Sequence, residues 1–359
     1  MSQNGGGRMN IIVTGGAGFV GSALVDRLMQ HTDHEVLVVD ALTYAGTWRN
    51  LHGMERNDRL AKVKGDIGDR ELVARLLAEF EPDVVINLAA ETHVDRSIDE
   101  PGPFVATNIL GGFGLLEETR MWWSRLTKAR RDAFRFIQVS TDEVFGSLGE
   151  TGRFDAISRY DPHSPYSASK AASDHLVRAW GHTYGLPVIV THCSNNYGPR
   201  QYPEKLIPLT IRRAIAGLSL PVYGDGGNIR DWLAVEDHAA GLLAVIERGR
   251  SQATYMFGGG AERTNLQVVT TICAVLDRLR PQGAPHARLI ALTQDRPGHD
   301  RRYAVDFTQT CREIGFEPSV DFDQGLERTV AWFLEQGDLT GDAAQRTRRL
   351  GLDSVGRNP

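Results

Sequence analysis

Tyr166 and Lys170 stand four residues apart in Ser164-Pro165-Tyr166-Ser167-Ala168-Ser169-Lys170. Pro165 suits a helix start, where its missing N–H costs nothing and its fixed φ is already helical. The run that follows, to Trp180, reads as helix, so the phenol and the ammonium share one face. An ammonium beside a phenol favours the phenolate and is expected to lower the Tyr166 pKa from about 10. That makes a base usable near neutral pH. Taken alone, the pair is more simply a surface tyrosine and lysine on an ordinary helix. What precedes it matters: Thr141-Asp142-Glu143 follows an apolar run, Arg135 to Ser140. Two adjacent carboxyls in different surroundings can act as acid and base. The plainer alternative is a solvated turn or the cap of a short helix.

The elements that must position these groups begin at Asn10-Ile11-Ile12-Val13-Thr14, a short apolar run suited to a buried parallel strand. Gly15-Gly16-Ala17-Gly18-Phe19-Val20-Gly21 follows directly, and then a helical pattern with Ala23, Leu24, Leu28 and Met29 apolar. Strand, glycine turn and helix in this order form a dinucleotide site: the glycines allow close backbone approach, and the helix start offers free N–H groups to pyrophosphate. A second strand, Val36 to Val39, ends in Asp40, which can accept from a ribose 2′-hydroxyl and repels a 2′-phosphate. NAD is therefore expected rather than NADP. Further strands are predicted at 61–65, 83–90, 135–140 and 187–192, with a helix over about 69–81. The alternation implies an α/β fold, a Rossmann-type doubly wound parallel sheet whose ligands sit at the strands' carboxyl ends. Asp66-Ile67 is placed to face the adenine, and Leu88, Ala89 and Ala90 leave room for the cofactor.

The glycine run with Tyr166-x-x-x-Lys170 resembles the extended short-chain dehydrogenase/reductases, and Thr141-Asp142-Glu143 narrows the likeness to the nucleotide-sugar 4,6-dehydratases. The segments 40–46, 90–97, 193–199, 203–208, 230–233 and 295–303 are similar to the members of that branch acting on dTDP-glucose, and the likeness covers about residues 10–335. It implies that Tyr166 deprotonates the carbon 4 hydroxyl while NAD oxidises that carbon, and that Thr141 bonds the oxygen. Glu143 then removes the carbon 5 proton, and Asp142 protonates the departing carbon 6 hydroxyl. Carbon 6 is finally reduced by the same cofactor. Phe145 and Thr92 depart from the tyrosine and serine common there, removing no catalytic group.

The resemblance adds Thr43, Thr107, Ser140, Lys170 and Asn196 to the expected cofactor contacts. It implies a nucleotide-sugar partner held by His93, Thr141, Asn195, Lys205, Arg230, Asn265, Arg296 and His299, with Tyr303 reaching a phosphate or only packing its loop. Arginine suits a forked grip on phosphate. The expected organisation is an NAD-binding domain over 9–196, completed by about 233–260 with a return at Trp232–His238. A smaller C-terminal α/β substrate domain takes 197–232 and 261–336, and flexible tails take 1–8 and 338–359. A homodimer is also implied, through a four-helix contact near 104–123 and 166–184; Trp122, Trp123 and Trp180 are candidates for its apolar surface, with internal packing an equal alternative.

A formal net charge of −5 argues against nonspecific nucleic-acid binding. No apolar run approaches the roughly 18 residues of a membrane span, and the polar, glycine-rich start does not read as a secretory signal. Cys193, Cys273 and Cys311 are far apart, and the eleven histidines show no zinc-ligand spacing. Free thiols in a reducing cytoplasm and no metal are expected. A nucleotide-sugar 4-epimerase would use the same glycines, tyrosine and lysine, but needs no carboxyl pair to expel water. That epimerase is the nearest rival, and a 4,6-dehydratase acting on UDP-glucose is a further alternative. Ser167-x-x-Lys170 also fits a serine hydrolase, though no accompanying Ser-Asp-Asn or Lys-Thr-Gly is present. A non-enzymatic NAD-binding regulator should have lost a catalytic group, and none is missing.

Overall fold

The apolar runs become parallel strands, most of them buried on both faces. The computed structural model describes residues 7–54 and 57–336; the expected tails lie, apart from Gly7 and Arg8, outside the described residues. The chain opens with β1 (Asn10–Thr14), α1 (Phe19–His31), β2 (Glu35–Asp40), β3 (Leu60–Lys64), α2 (Arg70–Phe80) and β4 (Val84–Asn87). Next come α3 (Val94–Asp99), the short α4 (Gly102–Phe104), α5 (Gly112–Trp123), α6 (Lys128–Ala133) and β5 (Arg135–Thr141). α7 (Pro165–Tyr184), β6 (Val188–Cys193), β7 (Asn195–Tyr197), α8 (Leu206–Ile215), β8 (Leu220–Tyr223) and β9 (Ile229–Ala234) follow. The remainder is α9 (Val235–Arg248), β10 (Thr254–Phe257), β11 (Glu262–Thr264), α10 (Asn265–Leu279), β12 (Ile290–Thr293), α11 (Thr308–Ile314) and α12 (Phe322–Glu335).

Seven strands form one sheet in the order β10-β6-β5-β4-β1-β2-β3, every pairing parallel. Successive residues point to opposite faces, so Val36 and Val38 enter one core with Leu24, Leu28 and Leu242. Leu37 and Val39 enter the other with Leu77, Leu115 and Val177. Each such burial contributes about 1.5–3 kcal/mol relative to exposure. The strand order reverses between β1 and β4, and a ligand crevice opens at such a reversal. β9 pairs with β7 and β11 in a second sheet, and β8 with β12 in a third. α8, α10 and α12 share a separate core around Ile211, Ile272, Leu276 and Leu326.

The structure adds detail to two expectations. The return at Trp232–His238 begins as a strand of the second sheet, because β9 pairs with β7 and β11. From β9, Leu233 joins the first core, to which α9 adds Leu242, Val245 and Ile246. The three tryptophans have internal partners: the Trp122 ring meets Phe134 edge-on, and the indole N–H groups of Trp123 and Trp180 donate to the Arg131 carbonyl and to Glu117. The exposed apolar side chains nearby are instead Ile98, Val105, Leu110 and Tyr184. Among the described residues no helix is long and apolar enough to cross a membrane.

Candidate active site

The glycine turn fits a dinucleotide by its own packing. Gly15 has φ +67°, and a Cβ there would lie 2.7 Å from the backbone of Leu88 and Ala89. A Cβ on Gly21 would collide with the Gly15 carbonyl oxygen. The turn can thus lie flat on the end of β4 only without side chains. Gly18 caps α1 without a side-chain hydrogen bond, and no acidic residue occupies the first turn. The N–H groups of that turn are left for an anion. The Asp40 carboxylate is fixed over the loop by the backbone N–H groups of Ala17 (2.9 Å) and Leu42 (2.8 Å). Gly15, Gly18, Phe19, Val20, Gly21, Asp40, Thr43, Asp66, Ile67, Leu88, Ala89, Ala90, Thr107 and Asn196 line one cleft, which continues to Ser140, Tyr166 and Lys170. The Ser140 hydroxyl turns away to donate to Asp174 at 2.7 Å. A buried ladder ties β1 to α7: Thr14 donates to Asn87 (2.7 Å), Asn87 to Gln138 (2.9 Å), and Gln138 to Ser173 (3.2 Å).

α7 starts at Pro165 with a reciprocal cap, since Ser164 and Ser167 each accept the other's backbone N–H at 3.0–3.1 Å. This brings buried Tyr166 and Lys170 to the carboxyl end of β5. The Lys170 ammonium donates to the Val139 carbonyl at 2.7 Å. The expected lowering of the Tyr166 pKa is not found: burial, with Glu143 next, holds the phenol well above its usual value. Burial likewise lowers Lys170, with Asp174 and Cys193 opposing. The phenol sits beside carboxylates, and the lysine points its proton at a carbonyl rather than at the phenol.

Thr141 ends β5 and caps a 3-10 turn over Asp142–Phe145, accepting the Glu143 N–H at 3.3 Å. Val144 and Phe145 anchor that turn in a core with Phe154, Met256 and Tyr303. Asp142 is 1% exposed, and its Oδ2 has no hydrogen-bond partner. Burial and then Glu143 push its carboxyl well above the usual range. Burial also raises Glu143, but Arg296, Lys205 and Arg230 oppose the rise. Both carboxyls are raised, Asp142 the more strongly, so Asp142 is the better placed to keep a proton and Glu143, facing three cations, the readier of the two to lose one.

A second cleft adjoins the first, with Glu143, Asn195 and Lys205 lining both. His93, Arg230, Asn265, Arg296, His299 and Tyr303 complete it among the expected substrate residues. Arg296 is held by Asp95 at 3.2 Å, leaving its Nε without a partner. Arg230 stacks 4.2 Å over the Tyr303 ring and donates to the Asp300 carbonyl. Tyr303 is 2% exposed, its hydroxyl donating to Asp300 at 2.5 Å. His299 is no cation near neutral pH: burial and Arg296 take it down to about 4. His93, taken down to about 3 by burial and Lys205, accepts the Arg96 N–H as the cap of α3.

Several cleft residues escaped the sequence reading. Arg96 stacks 4.2 Å over Tyr44 and grips Glu204 at 2.6 and 3.2 Å, while Tyr44 meets the Tyr202 ring edge-on. This cluster joins three segments beside the cofactor cleft. The π-helical segment Val105–Gly111 presents Thr107 there, and Asn108 ties Glu91 to Ser169. The 40–46 and 90–97 motifs already contained Tyr44 and Arg96, but nothing local signalled their pairing. No group of three metal-binding side chains exists among the described residues.

The family model described as GDP-mannose 4,6 dehydratase matches residues 12–329. A dTDP-glucose 4,6-dehydratase of Xanthomonas campestris pv. campestris is 54% identical over 347 residues, covering 95% of this chain and 98% of the relative. The crystal structure of DesIV, a dTDP-glucose 4,6-dehydratase from Streptomyces venezuelae with NAD and TYD bound, superposes with a TM-score of 0.83. It is 42% identical, covering 91% of this chain and 97% of that one. A UDP-glucose 4-epimerase of Thermus thermophilus in complex with NAD shares the fold at a TM-score of 0.80 but only 29% identity, over 92% of this chain and 100% of its own. With a carboxyl pair facing the tyrosine and identity spanning nearly the whole length, the chain belongs to the dTDP-glucose 4,6-dehydratases, a nucleotide-sugar branch of the extended short-chain dehydrogenase/reductases.

Proposed function

We propose that this chain is a hydro-lyase that converts dTDP-glucose to dTDP-4-keto-6-deoxyglucose with NAD as a recycled cofactor. The observation that carries the reading is the Asp142–Glu143 turn opening into the same cleft as Tyr166. Gly15, Gly18, Gly21 and Asp40 would hold the pyrophosphate and adenosine ribose, and Lys170 the nicotinamide ribose. The chemistry that bound NAD supplies is reversible oxidation: carbon 4 is oxidised, and carbon 6 is later reduced by the same molecule. Tyr166 takes the carbon 4 hydroxyl proton, with Thr141 bonding the oxygen. A ketone at carbon 4 acidifies the carbon 5 hydrogen, which Glu143 removes. Asp142 gives its proton to the carbon 6 hydroxyl, which leaves as water. Glu143 returns a proton to carbon 5 as carbon 6 is reduced. Burial disfavours the phenolate, so Tyr166 acts as base only where the Lys170 ammonium turns from the Val139 carbonyl toward it, an attraction that strengthens when substrate and cofactor exclude water.

Arg230 and Arg296 grip the diphosphate, with His299 and Asn265 as neutral donors. The rival 4-epimerase has no use for the carboxyl pair. Incubation with dTDP-glucose is expected to give a product lighter by one water by mass spectrometry, with UDP-glucose turned over far more slowly. Preference for UDP-glucose would overturn the nucleotide assignment, and a new hexose of unchanged mass would make the protein an epimerase. A homodimer through the segments 104–123 and 166–184 is supported by the exposed Val105 and Leu110 on the first and Tyr184 at the end of the second. The separated free thiols suit a reducing cytoplasm.

A further inference from the structure

Behind the cleft lies a buried cluster that the reaction so far leaves idle. Asp174 sits one turn beyond Lys170 on α7 and is 0% exposed. Its Oδ2 accepts the Ser140 hydroxyl at 2.7 Å and the Tyr160 hydroxyl at 3.2 Å, and faces His192 Nε2 at 3.2 Å. Asp174 Oδ1 and His192 Nδ1 are buried without hydrogen-bond partners. Burying a carboxylate with an oxygen unmet is costly, so its retention here calls for a role. α7 grips adjacent residues of β5: Lys170 donates to the Val139 carbonyl, and Asp174 holds the Ser140 hydroxyl. Thr141, Asp142 and Glu143 come next in the chain.

We infer that Asp174 is a positioning residue: through Ser140 it locks the end of β5, and with it the Asp142–Glu143 turn, against the Tyr166/Lys170 helix, and it is the buried counter-charge of the Lys170 ammonium. The inference rests on the roles proposed above for Tyr166 and Lys170. Lys170 has two neighbours that favour its charged form, Asp174 and Cys193. Burial pushes the Cys193 thiol up to about 12, so it carries no charge near neutral pH, which leaves the Asp174 carboxyl, one turn along α7, as the group placed to balance the ammonium. The titratable groups facing this pair are His192 and Cys193 from β6, Tyr160 from the loop before α7, and Tyr166 on α7. Arg178, also on α7, faces Tyr160. Removing the Asp174 charge leaves burial unopposed, so Lys170 loses its proton at lower pH. The clamp also joins the oxidising and eliminating halves of the site.

The test uses the NAD-loaded full chain and compares wild type, Asp174→Asn and Ser140→Ala. It reads kcat and KM for dTDP-glucose across pH, NAD retained through gel filtration, and the thermal midpoint. Asp174→Asn is expected to lower kcat at least tenfold with KM within about twofold and NAD retained, and to move the alkaline limb of kcat down by about one pH unit. Ser140→Ala, which keeps the carboxylate, is expected to lower kcat about threefold or more without moving the limb. A profile for Asp174→Asn that superposes on wild type overturns the inference. So does a loss of turnover matched by equal loss of bound NAD or of folded protein. Should Asp174→Asn not accumulate, Ser140→Ala decides: a kcat indistinguishable from wild type overturns the clamp. Wild-type protein that dehydrates nothing would sink the proposed function and this inference together. A normal wild type with an Asp174→Asn profile that does not move sinks this inference alone.

Discussion

Replacing Asp142 by Asn and Glu143 by Gln together is expected to stop the reaction halfway. Both substitutions keep volume and hydrogen-bonding capacity, so the turn anchored by Val144 and Phe145 should stay in place. Tyr166, Lys170 and the glycine turn are untouched, so carbon 4 is still oxidised on mixing with dTDP-glucose, and nicotinamide reduction appears in the absorbance. Elimination then lacks both its base and its acid. A positioned acid or base contributes about 10²–10⁴-fold, so product formation should fall by at least about 10³-fold while NAD stays bound. Single variants should differ. Asp142→Asn removes a proton that burial keeps in place, and Glu143→Gln removes a carboxyl whose rise on burial is opposed by Arg296, Lys205 and Arg230. Dehydration at the wild-type rate in the double variant would remove these roles.

Tyr166→Phe is expected to act one step earlier. The ring sits 6.3 Å from Phe104 edge-on and is 7% exposed, and phenylalanine fills that space without a new cavity. What is lost is the oxygen that takes the carbon 4 proton. Turnover should fall by about 10²–10⁴-fold, with no nicotinamide reduction on mixing and with nucleotide affinity little changed. The contrast between the two variants is informative: one accumulates the oxidised stage, the other never reaches it. Rapid nicotinamide reduction by Tyr166→Phe would assign the base elsewhere.

The parts of this molecule visible in its sequence are those whose physics is local. A continuous apolar run followed by glycines and a helix has few other ways to fold, and Pro165 after Ser164 marks a helix start by backbone geometry alone. The strand end at Asp40 follows from the same patterning, whereas β4 stops at Asn87, short of the expected 83–90, and β5 runs one residue past the expected 135–140 to Thr141. Long-range contacts were not visible. Arg96 and Glu204 are separated by 108 positions, and neither residue type announces a partner. The π-helical segment at Val105–Gly111 has no periodic signature, though it sets where Thr107 and Asn108 point. In the loop carrying Phe154 and Tyr160, both rings pack on Phe145 at 5.2–5.3 Å and so support the catalytic turn, a contact that no local pattern marks. The Tyr166 expectation failed for a related reason. Sequence spacing shows a lysine near a phenol but not the burial or the Val139 carbonyl that claims the ammonium.

The central claim is that Asp142 and Glu143 turn an oxidation at carbon 4 into loss of water, with one cofactor molecule serving both ends of the sugar. Deuterium placed on carbon 4 of dTDP-glucose follows this directly. The predicted product has lost one water and carries the deuterium on carbon 6. Deuterium retained on carbon 4 of an undehydrated hexose, or released from the enzyme with free cofactor, would contradict it.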